Sequence, residues 1–332
     1  MKVGIIGTGW VAGLHLAALK QIDFAEVVAI AGRNEARARE LAEPIGANVY
    51  SDFLSMLQKE SLDAVLILLP PHLHGDLERA CSEHVKGVLV EKPITQSMET
   101  ALQVNDYFKK AGTIVSVAYM NRYRQSVLRA RELLVMDQNP GIMAQGWWVT
   151  QMPPPLWWRT FDQSGGQFVE QCTHLVDISR FAMGDIVEVS AYAARGYMSQ
   201  VPDYSVDDAM VVNARFASGA LGSFSTGCFP VGSHPETLNG GIGLTLSSRK
   251  HRIALTGWEM KGVVESGDSD REDIPTEEDI FLVQNRAFLQ AVEENDPTGI
   301  HSSYEDGIKT LAVTLAANRS ARELDGAPVS IS

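Results

Sequence analysis

Lys2-Val3-Gly4-Ile5-Ile6-Gly7-Thr8-Gly9-Trp10-Val11-Ala12-Gly13 is the stretch on which the fold turns. A short apolar run ending at Gly7 reads as a buried parallel strand, and apolar positions from Trp10 onward recur at helical spacing. Strand, glycine turn, helix is the expected order. In the pattern G-x-G-x-x-A, Gly7 permits the tight turn, Gly9 allows close approach of a pyrophosphate, and Ala12 lets the helix pack on the strand. A helix N-terminus also offers backbone N–H groups to phosphate. Gly7, Gly9, Trp10, Val11 and Ala12 are therefore candidate dinucleotide-binding residues. An ordinary strand-to-helix turn carries similar glycines, but the preceding strand and a second strand at 27–32, ending about 20 residues further on, favour the dinucleotide reading.

Outward from this turn the same alternation continues. Helical spacing at 35–45, a short strand at 48–50, a helix at 53–59 capped by Ser51-Asp52, and the most apolar run of the chain, 64–69, follow in order. That run stops at Pro70-Pro71 and suits a strand buried on both faces of a parallel sheet. Helix 74–84, strand 87–90, helix 97–111 and strand 114–118 complete the series, which predicts an α/β chain with a doubly wound Rossmann sheet over residues 1–120.

Near Tyr119 the rhythm changes. Helix 125–135 leads to strands at 142–150, 187–195, 209–216, 220–226, 243–247 and 252–256, most of them joined by Gly, Ser or Asp turns. One helix, 167–183, interrupts them, and helices 278–294 and 304–323 close the chain, the last with Ser302-x-x-Glu305 as a capping box. Residues 121–332 are expected to form an α+β domain with a large open, mostly antiparallel sheet. The acidic stretch 265–278 reads as a solvated loop.

At 332 residues the chain is roughly twice the ~150 residues of a usual domain, which fits two domains. The 28 basic and 41 acidic residues leave a net charge of −13, arguing against nucleic-acid or membrane partners. No apolar run reaches the ~20 residues that span a bilayer, and the glycine turn interrupts any signal-peptide core. Cys81, Cys172 and Cys228 lie far apart without C-x-x-C spacing, so a zinc knuckle or disulfide framework is not expected and a cytoplasmic location fits best.

In doubly wound sheets ligands bind beyond the carboxyl ends of the strands. Leu69, Pro70 and His74 after the run 64–69, and Glu91 and Lys92 after 87–90, are thus candidate cofactor contacts. Lys92 suits proton relay if burial lowers its pKa, or a plain salt bridge with Glu91. The bond to Pro93 is a candidate for the cis form, which the residues alone do not decide. Further on, Glu170, His174 and Asp177 are spaced i, i+4, i+7, which would place them on one helix face. Three readings stay open for that stripe: acid–base catalysis, a divalent metal site, or a salt-bridge network with Arg180. The stretch Met152-Pro153-Pro154-Pro155-Leu156-Trp157-Trp158-Arg159 offers indole faces for a sugar or cyclitol and a cation for an anionic group, or else is a packing loop or subunit contact. Tyr119, Asn121, Arg122 and Tyr123 are similar candidates. Trp147 and Trp148, within a strand, read as facing sheet and core.

These motifs together resemble the Gfo/Idh/MocA family, named for glucose-fructose oxidoreductase and inositol dehydrogenase. The resemblance rests on the N-terminal glycine turn, Pro70-Pro71-His72-Leu73-His74, Glu91-Lys92-Pro93, the block from Gly165-Gly166 to His174-Leu175-Val176-Asp177, and Ser303-Tyr304-Glu305-Asp306-Gly307 entering the final helix. It covers essentially the whole chain. The resemblance implies a nicotinamide-dependent oxidoreductase acting on a secondary alcohol or carbonyl of a sugar, cyclitol or related polyol. It also implies a C-terminal sheet making subunit contacts in a homodimer or homotetramer. Lys92 and His174 correspond to the family's catalytic pair; Glu170 stands where aspartate is common, and Asp177 matches a supporting or substrate-facing position. Glu170, Asp177, Arg122, Trp158 and Arg159 are accordingly the candidate substrate contacts, and no metal is expected. Reduction of another carbonyl or an imine is the alternative chemistry. A cofactor-binding regulator without chemistry is a third reading, disfavoured because both Lys92 and His174 are present.

The cofactor reading comes from the end of the second strand. It runs into Gly32 and Arg33 with Arg37 one helical turn on, and lacks the acid that would bond a ribose 2′-hydroxyl and repel a 2′-phosphate. NADP(H) is therefore expected to be preferred, with NAD(H) possible.

Overall fold

The computed structural model describes residues 1–135, 140–228, 241–267, 270–276 and 279–331. Six short strands form the first sheet: β1 (Lys2–Ile6), β2 (Glu26–Ala31), β3 (Asn48–Tyr50), β4 (Ala64–Ile67), β5 (Gly87–Val90) and β6 (Ile114–Val117). Their order is β3-β2-β1-β4-β5-β6 and every pairing is parallel. That is the Rossmann order, with its reversal between β1 and β4. β4, β5 and β6 are buried at every position, which is why they read as unbroken apolar runs. Caps set the helix starts: Asn34, Asp52 and Ser97 each accept a backbone N–H three residues ahead.

The second sheet, among the described residues, has nine strands: β7 (Met143–Val149), β8 (Ile186–Ala194), β9 (Ala209–Phe216), β10 (Leu221–Gly227), β11 (Ile242–Ser247), β12 (His251–Thr256), β13 (Lys261–Ser266), β14 (Asp270–Ile274) and β15 (Val329–Ser330). The order is β14-β13-β12-β11-β7-β10-β9-β8-β15, antiparallel except where β10 runs parallel to β7. Burial alternates along β9 and β10, so one face carries the core and the other lies open. Val212, Phe224 and Leu244 pack inward with Leu175 and Ile178 of the helix Thr173–Met183.

Three expectations are corrected here. The acidic stretch read as a loop contains β14, an exposed edge strand whose backbone pairs with β13 from Ser266↔Asp270 to Gly262↔Ile274. Its residues Asp270-Arg271-Glu272-Asp273 bury nothing, so no apolar alternation marks them. Ser303 rather than Ser302 caps the last helix, its hydroxyl accepting the Asp306 N–H at 3.2 Å. Ser302 is buried and its carbonyl accepts the Val117 N–H instead. Finally, the chain divides into one unit of Met1–Met120 with Asp279–Ile308 and another of Asn121–Glu278 with Lys309–Ser332. A single division at 120 therefore does not describe it. The helix Ile280–Glu294 belongs to the first unit, where Phe288, Leu289 and Val292 join the core of β1, β4 and β5.

Candidate active site

In the first unit the glycine turn is sterically specified. Gly7 has φ +116, and a Cβ there would lie 2.2 Å from the Leu68 carbonyl oxygen. Around Gly9, by contrast, a Cβ would meet nothing within 4 Å. A turn closed on its inner side and open on its outer side, leading into the helix Trp10–Leu19, fits a dinucleotide pyrophosphate. Ala12 is buried against the sheet, while Trp10 is exposed and Val11 half-buried at the helix start. At the end of β2, a Cβ on Gly32 would lie 2.5 Å from the Thr8 methyl, so a side chain at this position requires Thr8 to shift. Arg33 is exposed; Arg37 pairs with Glu40.

Lys92 lies two residues beyond the end of β5, half-buried, and its bond to Pro93 is cis. Its backbone N–H donates to Glu91 Oε2 at 3.0 Å. Glu91 Oε1 in turn lies 3.4 Å from His15 Nε2, and His15 Nδ1 lies 2.9 Å from Asn285 Oδ1. Glu91, expected as a cofactor contact, is thus buried and turned toward the protein. Sequence reading missed His15 and Asn285; an imidazole inside an apolar helix was the available sign of the first.

His74 is also corrected. Its side chain is fully buried with Glu78, Nε2 donating to the Leu69 carbonyl at 3.1 Å and Nδ1 paired with Glu78 Oε1. Glu78 Oε2 accepts the Gly75 N–H at 2.6 Å. His74 therefore shapes the Leu69–Pro70 corner instead of touching a ligand. Burial alone pushes its pKa down, but the Glu78 charge and hydrogen bond, with the Leu69 carbonyl and Glu91, outweigh that and raise it above the ordinary 6.5. The pair's contribution is then complete below the ordinary value and is lost as pH rises through the raised one. The stability gap between wild type and His74→Gln should be greatest in mild acid and shrink toward alkaline pH, read by urea unfolding. A gap that widens with pH refutes the pairing.

In the second unit the helix expected at 167–183 is two helices, Gln167–Glu170 and Thr173–Met183. Between them the Cys172 N–H returns to the Gln167 carbonyl, and the N–H groups of His174 and Leu175 reach only three residues back. Glu170 and His174 therefore belong to different helices, and the stripe is broken. His174 is buried and stacks on Trp148, with ring centroids 5.8 Å apart and planes at 21°. Trp258 meets Trp148 edge-on at 6.3 Å. Trp147 points to the other face of β7, over Gly243.

Asp177 and Arg122, both expected to face substrate, hold each other. Arg122 Nε and Nη2 each lie 2.7 Å from an Asp177 carboxylate oxygen, with side-chain exposures of 4% and 1%. The Thr310 hydroxyl donates to Asp177 Oδ1 at 2.9 Å and accepts from Arg180, which also binds Asp185. Asp177 is thus paired directly with Arg122 and linked to Arg180 through the Thr310 hydroxyl, where the salt-bridge reading had Arg180 as its partner. This network anchors the helix that carries His174.

Trp158 is likewise not a stacking platform: it is 1% exposed and its Nε1 donates to Glu170 Oε2 at 3.0 Å. Val206 and Cys228 pack with it. Trp157 and Arg159 instead line an open cleft of about 670 Å³ with Val201, Pro202 and Tyr204. His174 is not among the cleft's lining residues, so the cleft by itself does not join Arg159 to the histidine. Among the described residues no group of three or more His, Cys, Asp or Glu could hold a metal ion.

Residues 1–119 match the family described as "Oxidoreductase family, NAD-binding Rossmann fold", and residues 142–240 match the "GFO/IDH/MocA C-terminal domain". The chain is 27% identical to myo-inositol 2-dehydrogenase of Thermotoga maritima, covering 97% of each chain. It is 37% identical to D-xylose 1-dehydrogenase (NADP(+)) 2 of Haloferax volcanii over 41% of this chain and 42% of that one. The solved structure of levoglucosan dehydrogenase in complex with NADH has the same fold, with a TM-score of 0.86 at 19% identity, over 100% of this chain and 99% of that chain.

Proposed function

The chain belongs to the Gfo/Idh/MocA family of NAD-binding oxidoreductases, and from that premise we propose that it transfers a hydride reversibly between a nicotinamide cofactor and a secondary alcohol or carbonyl of a sugar, cyclitol or related polyol. The observation that carries the substrate class is the end-to-end similarity to an inositol dehydrogenase, 97% of both chains. A panel of inositols, aldoses and polyols, offered with NAD⁺ and NADP⁺ and followed by the absorbance of reduced nicotinamide, tests it. Turnover of none of them overturns it.

In the oxidising direction His174 accepts the proton of the substrate hydroxyl. The Lys92 ammonium stabilises negative charge as it develops on that oxygen. A bound nicotinamide supplies the acceptor for the hydride leaving the carbon. In the reducing direction His174 returns the proton and Lys92 polarises the carbonyl. Gly7, Gly9, Trp10 and Val11 would hold the pyrophosphate through their backbone, with Leu69 and Pro70 beside the cofactor. Arg122 and Asp177 act behind His174, and Glu170 and Trp158 act as a pair that orders the segment before it. Arg159 remains the cation offered to an anionic substrate group. No metal takes part in this scheme.

NADP(H) is the preferred cofactor in this reading. Position 32 carries glycine and no acid, and Arg33 stands exposed to meet a 2′-phosphate. Arg37 must leave Glu40 to help. The ratio of kcat/KM for NADP⁺ over NAD⁺ should exceed one and fall about tenfold or more in Arg33→Ala, the scale of a lost charge-assisted hydrogen bond. Unchanged selectivity in that variant refutes the assignment.

The first unit is the dinucleotide-binding domain and the second the substrate and assembly domain. The open sheet face supports a homodimer or homotetramer: Tyr192 and Val211, opposite each other on β8 and β9, and Leu221 and Met143, opposite on β10 and β7, are all exposed. No helix among the described residues is long and apolar enough to cross a membrane. Three buried free thiols support a reducing, cytoplasmic location.

A further inference from the structure

We propose that His15 and Asn285 are positioning residues for Lys92, acting through the carboxylate of Glu91; the inference rests on the reading of Lys92 as the group that meets the substrate oxygen. His15 lies in the helix Trp10–Leu19 with no solvent exposure. A leucine would pack there without desolvating any polar atom, so the imidazole is retained against a cost unless both nitrogens are used. Both are. Asn285 Nδ2 donates to the His15 backbone carbonyl at 3.5 Å, and since that oxygen only accepts, the amide orientation is set. Asn285 Oδ1 then faces His15 Nδ1 at 2.9 Å, which places a proton on Nδ1.

The second nitrogen passes the constraint on. Nε2 faces Glu91 Oε1 at 3.4 Å, and a hydrogen bond there needs one proton between them. Glu91 Oε2 accepts the Lys92 N–H at 3.0 Å. Phe281 meets the imidazole edge-on, centroids 5.1 Å apart at 80°, and fixes the ring plane. A buried relay thus runs from the helix Ile280–Glu294, through the first helix, to the backbone of Lys92 at the end of β5. Asn285 and His15 are 270 residues apart in the chain, and neither touches the lysine side chain in this relay. Networks of this kind, fully satisfied in a low-dielectric interior, hold one geometry.

The test uses His15→Phe, which keeps a ring against Phe281 and removes both nitrogens, with Asn285→Leu and His15→Gln as second variants should it fail to fold. Lysines are ¹³C-methylated in the full-length protein and Lys92 is assigned by the signal missing in Lys92→Arg. The Lys92 resonance is expected to move in His15→Phe and in Asn285→Leu while other lysines stay in place. Turnover should fall about 10- to 100-fold, the scale of a misplaced group. Affinity for reduced cofactor, read by its fluorescence, should stay within about threefold. In a Glu91→Gln background His15→Phe should add little further loss, because both act on one path. An unmoved Lys92 resonance, or losses that add independently of Glu91, overturns the proposal. The resonance needs no substrate, so a wild type that oxidises no polyol sinks the functional reading while the positioning role is still decided.

Discussion

His174→Ala and Lys92→Ala should each lower turnover by about 10²- to 10⁴-fold, the range for a lost general acid or base. Cofactor affinity should change far less in both. The physical ground differs between them. His174 is stacked on the indole of Trp148 at 21° and carried by a helix anchored through Asp177, so its ring is held in one orientation. Lys92 sits on a segment whose backbone is bound by a buried carboxylate. Single-turnover rates with saturating cofactor, together with cofactor titration, separate the cases. Near-normal turnover in either variant removes that residue from the chemistry, and a loss confined to cofactor affinity reassigns it to binding.

The largest stability effect is expected at Asp177. Removing the carboxylate in Asp177→Ala leaves the Arg122 guanidinium, 4% exposed, without its bidentate partner. Breaking such a buried pair costs about 3–5 kcal/mol. The cation would be left over the Phe181 ring, which Arg131 also covers, at 4.9 and 4.1 Å respectively. An Arg122→Met/Asp177→Leu double variant should recover most of the loss, since an apolar replacement has no charge to desolvate. Urea unfolding followed by tryptophan fluorescence suits the measurement: of the six tryptophans all but Trp10 lie in the second unit. A loss below about 1 kcal/mol, the value of an exposed pair, would falsify the burial argument.

Much of the fold was legible because its signals are local. β5 is bounded by Lys86 and Glu91 and filled with apolar residues, and both it and the short β3 fall where the sequence places them. The same holds for the Gly7 turn, whose φ no other residue adopts readily. What failed depends on tertiary choice. Gln171 and Cys172 carry no helix-breaking signal, yet the chain turns there, and with that turn the Glu170–His174 register disappears. β14 exists through backbone pairing to β13 and shows no burial pattern. Trp158 and Glu170, twelve residues apart, satisfy each other, as do Arg122 and Asp177, 55 apart. Candidate site residues were thus found as chemical types, while their partners, and so their roles, required the folded contacts.

The return of the helix Ile280–Glu294 to the first unit also bears on how the protein is made. Phe288, Leu289 and Val292 fill core positions against a sheet that is finished by residue 117. A ribosome adding roughly 5–20 residues per second takes about ten to thirty seconds to cover the intervening segment. During that interval the nascent sheet has an uncovered apolar flank that chaperones can occupy. By the same reasoning, a fragment ending at Met120 lacks part of its own core, and residues 1–120 expressed alone should aggregate; supplying 279–308 as a second piece should raise the soluble yield.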